Sequence, residues 1–330
     1  MSFCRSWCAA IWVSEMEYRY LGKTGLRVSR LCFGSLTMGP LQAGFSPEEA
    51  GEILAFALEQ GINFVDMAQL YDVYPYVRYA LKKTARDDIV LCSKTYAYEY
   101  DKAVEAVEEA RKALDRDVID IFMLHEQESE LTLRGHRPAL DALYDLKAKG
   151  ILRAVGISTH HVAAVRAAAK IGLDVIHPLI NVAGWGIVDG TREEMENAIS
   201  DAYAQGIGVY IMKAFGGGNL HKQSEKCLEY VLSLPFADAV AIGMQAKDEV
   251  EANIHFFETG SYTPEQAQRL REKNRRIHVE DWCVGCGTCA KHCPQGAISV
   301  QDGRMHVDQK KCVLCAYCSA FCEMYAIKML

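Results

Sequence analysis

Short apolar runs alternate along this chain with longer stretches whose apolar positions recur every three or four residues. Eight of the runs read as strands: RLCFG, NFVDM, DIVLCSK, DIFMLH, LRAVGIS, VIHPLIN, IGVYIM and DAVAIG. The stretches between them, such as PEEAGEILAFALEQG and DKAVEAVEEARKALD, read as amphipathic helices. Several end in glycine (EQG, AKG, AQG), the expected stop before a following strand. A hairpin-like stretch precedes the first unit. Eight β-then-α units within about 240 residues predict an α/β chain built on a closed (β/α)8 TIM barrel rather than an open doubly wound sheet. No strand opens into a GxGxxG turn, so the Rossmann dinucleotide signature is absent.

Composition narrows the class. Half of the 330 residues are hydrophobic, ample for a core, and the formal net charge of −7 argues against general binding of nucleic acid or anionic membranes. No apolar run reaches the roughly 18 residues of a membrane span. The opening MSFCRSWCAAIWVSEM carries an apolar patch of about seven residues, at the bottom of the signal-peptide range. The plainer reading makes Met16 an alternative start and residues 1–16 an extension. Of thirteen cysteines, Cys4, Cys8, Cys32, Cys92 and Cys227 are scattered and read as free, mostly buried thiols, a usage that fits a reducing cytoplasm.

Barrel chemistry sits at the C-terminal ends of the strands. There the chain places Asp66 on the second, Lys94 on the third and His125 on the fourth, with Tyr71 in the loop after Asp66. The segments NFVDMAQLYD, IVLCSKT and IDIFMLHEQE, with EYRYLGKTGLRVSRLCFGS and GILRAVGIST, resemble the aldo-keto reductases over roughly residues 17–260. That resemblance implies a catalytic tetrad of Asp66, Tyr71, Lys94 and His125. Hydride reduction of a carbonyl leaves a developing alkoxide that needs a proton donor. Tyrosine is a weak acid at its free pKa of about 10, and a neighbouring ammonium should lower it. Lys94 would supply that charge, Asp66 would hold Lys94, and His125 would orient the carbonyl.

The same resemblance implies a nicotinamide site. Ser158 and Thr159 stand where the family holds the nicotinamide amide with a Ser-Asn pair, and Asn181 stands near the end of the sixth strand. Met212 takes the place of the stacking aromatic, with Lys213 beside it. Gly216, Gly217 and Gly218 would let backbone approach a pyrophosphate. Asn253 matches an adenine contact, and Glu249 falls where NADP-preferring members often carry Arg. A carboxylate there would repel a 2′-phosphate, which favours NAD(H) over NADP(H). Trp185, Tyr74 and Tyr76 are candidates for an apolar substrate pocket.

Past a charge-rich helix, PEQAQRLREKNRRI, with five basic residues on a solvated face, come two cysteine runs. Cys283, Cys286, Cys289 and Cys293 form C-x2-C-x2-C-x3-C-P, and Cys312, Cys315, Cys318 and Cys322 repeat the spacing with Glu323 in the proline's place. Zinc is more usually bound by separated C-x2-C knuckles. The doubled run resembles a bacterial two-cluster ferredoxin. In such modules the fourth cysteine of each run ligates the other cluster. The resemblance thus implies one [4Fe–4S] cluster on Cys283, Cys286, Cys289 and Cys322, and another on Cys312, Cys315, Cys318 and Cys293.

The expected organisation is an extension (1–16), a barrel (17–263), a helical linker (264–277) and a small α+β ferredoxin-type module (278–330). The expected function is NAD(P)H-linked reduction of a small carbonyl, or the reverse oxidation of an alcohol, coupled through two clusters to a ferredoxin-like partner protein. A flavin would serve to split hydride into single electrons, although the chain carries no nameable flavin motif. The alternative is an electron-transfer or redox-sensing adaptor whose barrel binds nicotinamide without efficient turnover.

Overall fold

The computed structural model describes residues 16–273 and 275–330; the sequence reading of residues 1–15, with Cys4 and Cys8, lies outside them. An antiparallel hairpin, β1 (Tyr18–Tyr20) and β2 (Arg27–Ser29), opens the fold. Eight parallel strands follow: β3 (Leu31–Gly34), β4 (Phe64–Asp66), β5 (Val90–Thr95), β6 (Ile119–Leu124), β7 (Leu152–Thr159), β8 (Val175–Pro178), β9 (Gly208–Ile211) and β10 (Ala239–Gly243). They close into a barrel in that order, with β10 pairing back onto β3. Every strand expected from the sequence is present, and the TIM-barrel fold is the one observed.

Strand periodicity decides what faces inward. Cys32, Phe64, Val90, Cys92, Ile121, Met123, Ala154, Val175, Tyr210 and Ala239 form one cluster, to which Leu21, Leu26 and Val28 of the hairpin are joined. Alternate residues, among them Phe33, Val65, Leu91 and Phe122, pack in a separate core with the helices. Continuing the inward series by two residues leads from Phe64 to Asp66, from Cys92 to Lys94 and from Met123 to His125. The alternation that fills the barrel with apolar side chains therefore ends in polar groups at its mouth.

The linker helix spans Pro264–Glu272, shorter than expected, because Lys273 turns away to pair with Glu249 and Ile277 begins a strand. Two small sheets follow. β11 (Ile277–Val279) pairs with β14 (Ile327–Met329), and β12 (Ile298–Gln301) pairs with β13 (Arg304–Val307). Four-residue helices at Thr288–Lys291 and Tyr317–Ala320 carry the third cysteine of each run near their centres.

This module rests on the barrel. Met329 donates its amide to the Gly217 carbonyl (3.0 Å). Asn219, buried, donates to the Ile327 carbonyl (3.1 Å) and accepts from the Ser319 hydroxyl (2.6 Å). Trp185 packs against the module's core, which corrects its expected place in a substrate pocket. Tyr74 and Tyr76 are likewise core residues, bonded to Ser93 and to the Phe45 carbonyl.

Losing a buried hydrogen bond whose partner stays unsatisfied costs about 1–3 kcal/mol. Asn219→Ala should loosen the module, and limited proteolysis should cut the segment after Glu272 several-fold faster. An unchanged cleavage rate would contradict this account of the docking.

Candidate active site

At the barrel mouth the Lys94 ammonium, almost wholly buried, donates to Asp66 Oδ1 (2.6 Å) and to the Met67 carbonyl (2.8 Å). Asp66 Oδ1 also accepts from the Tyr210 hydroxyl (2.8 Å). Burial works against the Lys94 charge, but the Asp66 carboxylate outweighs it and raises the lysine above its ordinary value. Its ammonium lies 5.2 Å from the centre of the Tyr71 ring. The Tyr71 hydroxyl stands 3.4 Å from His125 Nε2. The four residues expected to act together thus share one site.

Their electrostatics differ from the expectation in one respect. Tyr71 is shifted upward, not downward: burial dominates, Lys94 pulls the phenol down, and Asp66 pushes it up again. Lys94 is too nearly neutralised by Asp66 to make a phenolate, so Tyr71 keeps its proton at neutral pH. Burial, with the charges of Lys94 and Lys213, also pushes His125 well below the usual histidine range, leaving a neutral imidazole. Its Nδ1 is buried without a partner among the described residues, and Tyr96 stacks on the ring at 4.5 Å.

Sequence reasoning missed the layer beneath. His177 stacks on Tyr210 at 3.8 Å and bonds the Tyr210 carbonyl through Nδ1, while Cys92 Sγ stands 3.0 Å from the Tyr210 hydroxyl. The inward parity of Tyr210 in IGVYIM was the available signal for this support of Asp66.

The residues read as nicotinamide ligands are engaged elsewhere. Ser158 Oγ accepts the Glu126 amide and Thr159 Oγ1 the His161 amide. Asn181 braces its own loop, donating to the Trp185 carbonyl and accepting from the amides of Ala183 and Trp185. Asn253 donates to the Glu249 carbonyl and accepts from Tyr262. Glu249 accepts the Gln245 amide and pairs with Lys273, so its charge is already balanced and the argument for NAD(H) over NADP(H) falls. Met212 lies at the mouth, bridged to Leu179, and the Lys213 ammonium meets His160 Nε2 at 2.7 Å.

The glycine loop is the plainest correction. A Cβ on Gly218 would stand 2.0 Å from the Met329 carbonyl oxygen, and one on Gly217 would stand 2.8 Å from Lys328 Cδ. Gly216 backs onto Leu220. The closeness that glycine permits here is taken up by the C-terminal strand, and the residues as arranged do not fit a dinucleotide.

The cysteines do fit clusters. Cys293, Cys312, Cys315 and Cys318 line one cavity together with Ile277, Ala297 and Val307. Burial raises the Cys289 thiol, and Cys322, Cys286 and Cys283 are among the groups near enough to act on it. Each run's fourth cysteine therefore lies with the first three of the other, as the resemblance implies. The Ala297 amide donates to Cys293 Sγ (3.3 Å) and the Ala326 amide to Cys322 Sγ (3.4 Å), an equivalent N–H···S bond in each half. Glu323 in the proline's place leaves the turn intact: the Tyr325 amide bonds the Cys322 carbonyl as the Gly296 amide bonds that of Cys293.

The two halves differ at left-handed positions. Gly285, Gly287 and Gly296 of the first run are matched by Leu314, Ala316 and Tyr325 of the second, all with positive φ. Tyr325, at φ +49°, is buried against Gly186 and Gly217, and its hydroxyl has no partner among the described residues. The ring lies 5.2 Å from the Lys213 ammonium and 3.5 Å from that of Lys328. Burial pushes Lys213 down to about 8.

Comparison with known proteins agrees with this architecture. The family model described as aldo/keto reductase family matches residues 30–227, and that of a 4Fe-4S binding domain matches residues 277–299. Aldo-keto reductase YhdN of Bacillus subtilis is 30% identical over 159 residues, 43% of this chain and 47% of that protein. A component of the ion-translocating oxidoreductase complex of Methanosarcina acetivorans is 45% identical over 63 residues, 18% of this chain and 24% of that protein. Each match spans less than half the relative's length. The solved holo form of aldo-keto reductase AKR11C1 from Bacillus halodurans superposes with a TM-score of 0.63 at 23% identity, covering 78% of this chain and 96% of that one, a likeness of fold.

Removing one member of a buried ion pair costs about 3–5 kcal/mol. Asp66→Asn should lower the unfolding free energy by that order, read from denaturant titration, and adding Lys94→Met should recover part of it. Wild-type stability in Asp66→Asn would show that Lys94 does not need its anion.

Proposed function

Because the chain belongs to the aldo/keto reductase family and carries a 4Fe-4S binding domain, we propose that it is an oxidoreductase acting on a small carbonyl, or in reverse on an alcohol, with electrons exchanged through two [4Fe–4S] clusters. The observation that carries this reading is the position of the module: it stands on the mouth where Asp66, Tyr71, Lys94 and His125 meet. The family uses nicotinamide cofactors. With the glycine loop covered as it is, no step of the mechanism runs through one.

Each cluster, when bound, would supply a single electron, so two would match the two-electron change between carbonyl and alcohol, which also takes up two protons, one on oxygen and one from solvent on carbon. The chain's own residues handle the proton on oxygen. Tyr71, kept protonated by burial, donates to the oxygen as charge grows there, and its position between His125 and Lys94 sets the direction of transfer. Neutral His125 offers a hydrogen bond to the same oxygen without competing for the proton. Asp66 holds Lys94 beside Tyr71, and because burial disfavours a phenolate there, Tyr71 regains a proton readily after giving one up. Cys286 and Cys315 are exposed, with Val284 and Val313 beside them, and give a ferredoxin-like partner access to both clusters. Among the described residues no helix is long and apolar enough to cross a membrane, and a reducing cytoplasm is the proposed setting.

The covered glycine loop also favours a second reading, an electron-transfer or redox-sensing adaptor with little turnover. Tyr71→Phe separates the two. General acid catalysis contributes about 10²–10⁴-fold, so the variant should lose kcat by at least about 10²-fold on an aldehyde panel with reduced viologen as donor. Slow turnover that the variant leaves unchanged would favour the adaptor.

A further inference from the structure

The segment Tyr325–Leu330 lies where a dinucleotide's phosphates would need the glycine loop. Met329 has its carbonyl over Gly218 and its amide bonded to Gly217, and Lys328 lies over Gly217. Asn219 fastens the next residue of the loop to Ile327 and Ser319. Leu330 exchanges backbone hydrogen bonds with Arg276, anchoring the chain end. The middle of the segment, Ile327–Met329, is strand, paired with Ile277–Val279.

Tyr325 gives the contact its shape. The first cysteine run has Gly296 at the equivalent left-handed position, which costs glycine nothing; a tyrosine there is strained. A strained residue persists where surrounding structure over-determines it, and such residues cluster at clamps and switches. Here the side chain is driven into the barrel mouth between Gly186 and Gly217, near His160 (ring centroids 6.1 Å apart) and between half-buried Lys213 and buried Lys328. Its buried hydroxyl finds no partner among the described residues. Neither the strain nor the unpaired hydroxyl serves the cysteine ligands, because the first run holds its cysteines without them.

We propose that Tyr325 and the strand behind it are a wedge, so that docking of the cluster module and binding of a nicotinamide dinucleotide on the Gly216–Gly218 loop exclude one another. In the docked state the mouth faces the clusters. When the wedge lifts, three glycine backbones and the Lys213 ammonium are uncovered together, a surface suited to a pyrophosphate. The chain then has two mutually exclusive reductant-facing states, and a dinucleotide must displace its own C-terminal strand to enter. Nucleotide binding reports the exclusion directly, whether or not a carbonyl is turned over.

The test uses anaerobic holoprotein with full iron and sulfide, titrated with NADPH and, separately, NADH by fluorescence. Tyr325→Gly removes the wedge and places the residue of the first run at the strained position; Lys328→Ala uncovers Gly217 by a different side chain. Both should bind at least tenfold more tightly than wild type. In wild type at saturating nucleotide, hydrogen exchange at the Met329 and Leu330 amides should rise several-fold. Equal affinity in all three proteins, nucleotide binding that leaves those amides protected, or no binding by either variant with its clusters intact would each overturn the proposal. Cluster absorbance identifies a variant that has failed to assemble, and the other variant then decides.

Discussion

A lysine sealed in a barrel needs an anion, and Asp66 is the anion to which the Lys94 ammonium is bonded. Everything else at the mouth is arranged around that pair. Tyr210 gives Asp66 a second hydrogen bond, His177 stacks on Tyr210, and Cys92 closes against the same hydroxyl. Because Asp66 neutralises most of Lys94, burial decides the state of Tyr71 and keeps it protonated. The pair thus does two things: it makes a buried ammonium tolerable, and it leaves the phenol an acid.

The second constraint is that two modules share one opening. The barrel's polar residues gather at the C-terminal ends of its strands, and the cysteine module is fastened to the loop after β9 by the hydrogen bonds of Gly217 and Asn219. A mouth closed by its own chain is small, and what enters must be small or must move the module. The setting of Lys213 and Lys328 beside Tyr325 adds to this: both ammoniums are pushed below their ordinary range, by desolvation first and by each other's charge or that of Lys94. The docked interface is therefore one that water or an anion would help to open.

Much of the barrel was legible in the sequence because one periodicity runs through every strand. The step of two from Phe64 to Asp66 or from Cys92 to Lys94 needs no tertiary information, and the cysteine spacing is equally local. What could not be read was coverage. Nothing near Gly216–Gly218 tells that residues more than a hundred positions later lie on them, and nothing near Glu249 shows Lys273 balancing its charge. The upward shift of Tyr71 depended on weighing burial against a lysine already paired, a comparison that requires coordinates. One signal was present and unused: aligning PQGAI with EMYAI puts a tyrosine where the first run has a positive-φ glycine.

The central claim is that the module and the tetrad form one electron path. It is tested most directly in a single turnover without any pyridine nucleotide: clusters reduced by dithionite, excess reductant removed, then an aldehyde added while the electron paramagnetic resonance signal is followed. The account predicts reoxidation of the clusters with about one alcohol formed per two electrons, and its loss in Tyr71→Phe. Clusters that stay reduced, in a protein that still reduces the aldehyde when NADPH is supplied, would contradict it.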